Sequence, residues 1–90
     1  MDELRAQINE CDDQIMQALD HRFQIVRQVS RYKRDHQMPV RQNKRMEALV
    51  ARLSQQYGGQ NISAEFVEQL YQVIMEHAID LEEQTIGQED

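Results

Sequence analysis

Helix-breaking residues are scarce in this sequence. Its 90 residues include one proline and three glycines, and both residue types interrupt helices. No apolar run approaches the roughly 20 residues that a membrane-spanning helix needs, and the first residues lack the pattern of a signal peptide. A composition that is 40% hydrophobic and 29% charged is typical of a globular domain. We therefore predict one all-α domain over residues 1–90, with long helices and no membrane partner.

The sequence also contains few cysteines, and fewer basic than acidic residues. Cys11 is the single cysteine, so no internal disulfide can form, and a reducing, cytoplasmic location is expected. Ten Lys and Arg residues face sixteen Asp and Glu residues, which gives a net charge of −6 and disfavours nucleic acid as a partner. The three histidines show no metal-ligand spacing. An anionic small molecule is compatible with this charge only where basic residues gather locally.

Apolar residues recur at steps of three and four through the first third of the chain. They are Leu4, Ile8, Cys11, Ile15, Ala18, Leu19, Ile25, Val26 and Val29. This spacing predicts a helix over about residues 2–34, which is roughly 50 Å long. Such a helix is long for a domain of 90 residues, and its sustained heptad pattern predicts packing against a partner helix.

Two shorter helices are predicted over about residues 42–57 and 63–84. Gly58 and Gly59 are expected to end the second helix in a left-handed conformation, and Ser63 to cap the third. The predicted buried face of the second helix holds Met46, Leu49, Val50, Leu53 and Tyr57. That of the third holds Phe66, Leu70, Val73, Ile74, His77 and Leu81. The tail, residues 85–90, is expected to be disordered.

Basic residues occupy positions where the helical pattern predicts apolar ones. Arg22 lies in the stripe of the first helix, and a buried arginine is costly unless it meets an anion. Lys33 lies on the same side, with its Cα roughly 16 Å from that of Arg22, so both side chains can converge on one small dianion. Arg45, near the start of the second helix, is a third candidate. A structural salt bridge at Arg22, with Lys33 and Arg45 solvated, would explain the same pattern.

Arg5 cannot join these cations within one chain. It precedes Arg22 by seventeen residues, which corresponds to roughly 25 Å along a straight helix. If two copies of the first helix pair antiparallel across a two-fold axis, the Arg5 of each copy can reach the site of the other.

Five short motifs follow one another along residues 4–84. They are Leu4-Arg5 with Ile8 and Asp12, Ile15-Met16-Gln17-Ala18-Leu19 with Arg22, Ser30-Arg31-Tyr32-Lys33, Pro39-Val40 leading to Arg45, and Leu70-Tyr71-Gln72-Val73-Ile74-Met75-Glu76. In this order they resemble the motifs of the all-helical (AroQ-type) chorismate mutases. This resemblance implies three helices per chain and an intertwined homodimer with two identical sites.

The resemblance also implies an activity, which is a cofactor-free [3,3] rearrangement of a chorismate-type dicarboxylate. Arg22 and the Arg5 of the other chain would bind the two carboxylates. Lys33 would contact a carboxylate and the ether oxygen, and Arg45 would help to close the pocket. No metal or cofactor is implied.

Four positions depart from the pattern of that family. Gln42 replaces an acidic residue, Met46 a glutamate that binds the C4 hydroxyl, Ala78 a serine, and Glu82 a glutamine that donates to the ether oxygen. Glu82 would have to be protonated to donate in the same way. Alternatively it pairs with Lys33 as a carboxylate and only orients it, or it points to solvent.

These departures bear on the choice of substrate, because Met46 cannot form a hydrogen bond to a hydroxyl group. The resemblance is greatest to 4-amino-4-deoxychorismate mutases, which show a run similar to Arg31-Tyr32-Lys33, His36, Pro39, Gln42 and Arg45-Met46. We rank the amino substrate first, with the Gln42 amide oxygen as a possible acceptor for its amine, and chorismate second. An isochorismate pyruvate lyase and a non-catalytic regulatory or dimerisation module are the alternatives.

Overall fold

The computed structural model describes residues 1–88 and contains three helices: α1 (Asp2–Asp35), α2 (Asn43–Tyr57) and α3 (Ala64–Gln88). No strand occurs among these residues, so the all-α prediction is confirmed. The bounds of α1 and α2 lie within one residue of those predicted from the apolar spacing. No helix within residues 1–88 is long and apolar enough to cross a membrane.

Helix α3 is the centre of the fold. It packs against both α1 and α2, which do not pack directly on each other within the described residues. The buried apolar side chains all belong to α3: Val67, Ile74, Met75, Ala78 and Ile79. One face of α3 therefore supplies the core, and the other two helices cover it.

The predicted buried face of α3 is wrong in part. Phe66, Leu70 and Val73 are 51%, 41% and 70% exposed, and His77 is exposed as well. Helix α3 carries apolar residues on more than one face, so periodicity alone could not select the face that turns toward α1 and α2. Of the predicted stripe, Ile74 is buried and Leu81 half-buried.

The end of α3 also differs from the prediction, because residues 85–88 are helical rather than disordered. Thr85 is 2% exposed, and its hydroxyl donates to the carbonyl oxygen of Leu81 at 2.7 Å. Ile86 is half-buried. These buried side chains stabilise a last turn that the polar sequence did not indicate. The rest of the predicted tail, residues 89 and 90, lies outside the described residues.

The helix boundaries depend on two local features. The Ser63 hydroxyl accepts a hydrogen bond from the backbone N–H of Phe66 at 3.0 Å, which confirms the predicted cap. Gly58 ends α2, but with φ −61° and ψ 133° it is extended, so the predicted left-handed conformation is wrong. Glycine is needed there for another reason, because a Cβ atom would collide with the carbonyl oxygen of Ser54.

The N-terminal half of α1 extends beyond the rest of the chain. Leu4, Ile8 and Ile15 are 57%, 58% and 56% exposed. The Cα radius of gyration is 15.9 Å, against about 12 Å for a compact chain of this length. The accessible surface is 7269 Å², against about 5,500 Å² for a typical folded monomer of this mass. A single chain therefore leaves an extended apolar stripe uncovered.

Ser30 offers a test of the packing of α1. Its side chain is fully buried, and its hydroxyl donates to the carbonyl oxygen of Arg27 at 2.7 Å. We expect Ser30→Leu to lower the free energy of unfolding by about 1–3 kcal/mol, because a larger side chain overfills the space. Denaturant unfolding followed by far-ultraviolet circular dichroism, at a fixed protein concentration, measures the change. The matched control Gln28→Leu, on the exposed face, should stay within about 0.5 kcal/mol of wild type. A Ser30→Leu chain as stable as this control would contradict the tight packing.

Candidate active site

One cavity of about 490 Å³ lies between the C-terminal half of α1, the loop of residues 36–42, the first turns of α2 and the middle of α3. Seven of the eight residues predicted for the site line it: Arg22, Lys33, Gln42, Arg45, Met46, Ala78 and Glu82. They come from all three helices and the loop, so the fold brings together residues that are up to sixty positions apart in the chain.

The charged side chains of the cavity are mainly basic. Arg22, Lys33 and Arg45 carry three positive charges and Glu82 one negative charge, which leaves a formal charge of +2 on its lining in a chain whose net charge is −6. Arg22 forms no ion pair with an acidic residue in the described part of the chain. Its guanidinium carbon instead lies 5.8 Å from the centre of the Tyr71 ring. The cavity therefore has the charge that an anionic ligand requires.

Lys33 is held in place from two sides. Its ammonium donates to the carbonyl oxygen of Val40 at 2.8 Å and lies 3.0 Å from Oε1 of Glu82. The side chains of Lys33 and Glu82 are 14% and 6% exposed. The loop and α3 together fix the ammonium at the wall of the cavity before any ligand arrives.

Glu82 faces this ammonium with an oxygen that is otherwise unsatisfied. No group in the described residues donates a hydrogen bond to Oε1, so the 3.0 Å contact with Lys33 is an ion pair without hydrogen-bond geometry. Of the three roles predicted for Glu82, this contact agrees with that of a carboxylate that pairs with Lys33 and orients it.

Gln42 and Met46 lie at the start of α2. The Gln42 amide nitrogen donates to the carbonyl oxygen of Pro39 at 3.2 Å. Its amide oxygen is therefore left to accept a hydrogen bond. Met46 adds an apolar surface, which continues around the cavity through Ile25, Val26, Val29, Met38, Leu49, Met75 and Ile79. Apolar walls of this kind suit a hydrocarbon ring and strengthen electrostatic interactions within the cavity.

Tyr32, which was not among the predicted site residues, lines the cavity, and its ring stacks on that of His36 with centroids 3.9 Å apart. Arg5 lies on the exposed N-terminal half of α1 and is absent from the lining. This agrees with the distance argument, by which Arg5 cannot reach the cavity of its own chain.

Two interactions of the site region have no signal in the sequence. The acceptor for Lys33 is the backbone carbonyl of Val40, which residue types cannot reveal. The loop is also joined to α3, because Arg41 Nη2 lies 3.0 Å and 3.1 Å from the two carboxylate oxygens of Glu76. These residues are thirty-five positions apart, and only the fold shows that they meet.

Within residues 1–88, no three His, Cys, Asp or Glu side chains form a group that could hold a metal ion. The side chains of the cavity are suited to binding carboxylates, to orienting an apolar ring and to placing a positive charge at a reacting oxygen.

The chain is similar to known proteins over nearly its whole length. Residues 4–83 match the sequence profile of the family described as chorismate mutase type II. A 4-amino-4-deoxychorismate mutase of Streptomyces pristinaespiralis is 29% identical over 87 residues, which are 97% of this chain and 67% of that protein. No solved structure matches the chain significantly. The family match and the cavity agree with each other, and this chain belongs to the chorismate mutase type II family of isomerases.

Proposed function

We propose that this enzyme converts 4-amino-4-deoxychorismate to 4-amino-4-deoxyprephenate. The observation that carries the proposal is a cavity with a formal charge of +2 in which Met46 and the free amide oxygen of Gln42 stand near the start of α2. The relative from Streptomyces pristinaespiralis, named for this activity, supports it at 29% identity.

The reaction requires orientation and charge rather than a nucleophile. In one concerted step the C–O bond of the enolpyruvyl ether breaks, a C–C bond forms to the ring, and the electrons of two double bonds shift. Binding both carboxylates holds the enolpyruvyl arm over the ring. We propose that Arg22 and Lys33, which both line the cavity, bind these carboxylates. The ether oxygen gains negative charge in the transition state, and the ammonium of Lys33 stabilises it there.

Substrate choice is assigned to the start of α2. A hydroxyl at C4 is best recognised by a charged acceptor, and Met46 offers none. An amine at the same place donates hydrogen bonds, and the Gln42 amide oxygen can accept one because its nitrogen is bonded to Pro39. Leaving the amine of the ligand unpaired in the cavity would cost about 1–3 kcal/mol, so this contact supports binding of the amino substrate.

The enzyme is proposed to work as an intertwined homodimer in which α1 pairs antiparallel with its copy. The stripe of Leu4, Ile8 and Ile15 is uncovered in one chain. The surface exceeds that of a typical monomer by about 1,800 Å², which is within the range that a chain in an obligate homodimer buries. This pairing would bring the Arg5 of each chain to the cavity of the other and add a cation to each site.

Chorismate is the second candidate, because the family match does not distinguish substrates with different groups at C4. Incubation with chorismate, 4-amino-4-deoxychorismate and isochorismate in separate reactions, with identification of the products, ranks them directly. The proposal expects the highest kcat/KM with the amino substrate. Pyruvate release from isochorismate would identify a lyase instead, and no turnover with any of the three would identify a non-catalytic module.

Met46→Glu tests the origin of this preference. The new carboxylate can accept a hydrogen bond from a C4 hydroxyl, and a hydrogen bond to a charged group contributes about 1.5–3 kcal/mol. We expect kcat/KM for chorismate to rise relative to the amino substrate by about ten- to a hundredfold. The matched control Met46→Leu, which keeps the wall apolar, should leave the ratio unchanged. Efficient chorismate turnover in the wild type that falls in Met46→Glu would show that Met46 does not set the preference.

Subunit mixing tests the shared site. Chains carrying Arg5→Ala and chains carrying Arg22→Ala are each expected to be nearly inactive. After random exchange, half of the dimers are mixed and each has one intact site, so about a quarter of wild-type activity should return. Mixing Arg22→Ala with Lys33→Ala is the control, because both residues belong to the same chain's cavity and every mixed site stays defective. An Arg5→Ala mixture that recovers no activity, despite proven exchange, would rule out the shared site.

Glu82→Gln is expected to change stability and binding in opposite directions. Lys33 loses its charged partner, so the free energy of unfolding should fall by about 1–3 kcal/mol. The cavity loses a negative charge, and one like charge about 5 Å from a single ligand carboxylate costs about 3 kcal/mol at an effective dielectric constant of 20. A dicarboxylate transition-state mimic should therefore bind about tenfold more tightly or better in calorimetry. Asp80→Asn, on the exposed face of α3, is the control for charge alone. Weaker binding in Glu82→Gln would show that Glu82 is needed to orient Lys33 in the complex.

A further inference from the structure

The loop of residues 36–42 forms one wall of the cavity. Its backbone begins with Gln37 in a left-handed conformation, φ 55°, and the Met38 N–H donates to the carbonyl oxygen of Lys33 at 2.7 Å. These contacts fasten the start of the loop to the end of α1. Its later part is joined to α3 by the Arg41–Glu76 ion pair.

Arg41 lies between the two residues through which the loop acts on the site. The carbonyl oxygen of Val40 accepts the hydrogen bond from Lys33, and Gln42 lines the cavity at the start of α2. Since the backbone of Arg41 connects them, anchoring its side chain restricts both neighbours at once.

We propose that Arg41 and Glu76 are positioning residues of the reaction assigned above. Their ion pair holds the loop against α3, which keeps the Val40 carbonyl on the ammonium of Lys33 and the Gln42 side chain at the cavity. Neither residue lines the cavity, so both act through their neighbours. The inference rests on the proposed function for its effect on catalysis, whereas its effect on the loop is independent of any substrate.

The exposure of the pair defines its mode of action. The two side chains are 47% and 51% exposed, so the pair adds little to global stability and is weakened by salt. One side of the pair is on the loop and the other on the central helix, so its loss frees the loop while the helices stay packed. A contact of this strength shifts the ratio of closed to open loop by about two- to fivefold, which still allows the loop to open for a ligand.

Charge reversal provides the test. Arg41→Glu and Glu76→Arg each place like charges together, and the double variant restores an attractive pair with its direction reversed. Amide hydrogen exchange across residues 36–42 should be about two- to fivefold faster in each single variant and close to wild type in the double variant. Asp80→Asn, another exposed carboxylate of α3, is the control and should leave the exchange of the loop unchanged. The unfolding midpoint should be similar in all variants.

Activity completes the test. On the substrate that the wild type prefers, each single variant should have a lower kcat, by at most about fivefold, with recovery in the double variant and a smaller loss as salt weakens the wild-type pair. Loop exchange that is unchanged in the single variants, or a faster loop with normal kcat, would overturn the proposal. A wild type that turns over none of the three substrates would refute the proposed function, and the exchange results would still decide whether the pair holds the loop.

Discussion

The structure depends on keeping the charge of Lys33 at the wall of a largely apolar cavity. A buried ammonium is costly unless other groups compensate it, and here the compensation comes from two separate parts of the fold. The Val40 carbonyl belongs to the loop and the Glu82 carboxylate to α3. The same two contacts join the end of α1 to both of these elements. The geometry of the cavity and the packing around it therefore depend on the same two contacts.

Helix α1 serves two purposes along its length, which explains why so short a chain contains so long a helix. Its C-terminal half carries Arg22 and Lys33 and packs on α3. Its N-terminal half exposes an apolar stripe that one chain cannot cover. An isolated helix is only marginally stable in water, so this half needs a second surface. In the proposed dimer, the pairing of α1 helices that covers the stripe would also bring Arg5 to the site of the other chain. Each site would therefore be complete only in the folded dimer.

The sequence could predict those features of this arrangement that depend on interactions between residues close together in the chain. Helical periodicity is local, so the bounds of α1 and α2 and the inward direction of Arg22, Lys33 and Met46 could be inferred from spacing. The buried face of α3 could not, because that helix is apolar on more than one side and only its neighbours decide which side is covered. The sequence also could not predict the Val40 carbonyl as an acceptor or the Arg41–Glu76 ion pair. One is a backbone group, and the other joins positions whose meeting depends on the complete fold.

The distribution of charge determines where this enzyme can bind an anionic ligand. With a net charge of −6, the protein as a whole repels a dianion, and at physiological salt this repulsion is screened beyond about 8 Å. Affinity must therefore arise inside the cavity, where apolar walls exclude water and strengthen each contact. Glu82 reduces the positive charge available there, and in return it keeps Lys33 compensated while the site is empty. In the proposed reaction a ligand carboxylate would take over that compensation, so binding would replace an internal ion pair with one to the substrate. The Lys33–Glu82 interaction that stabilises the empty site would then compete with the ligand and limit how tightly the ground state is bound.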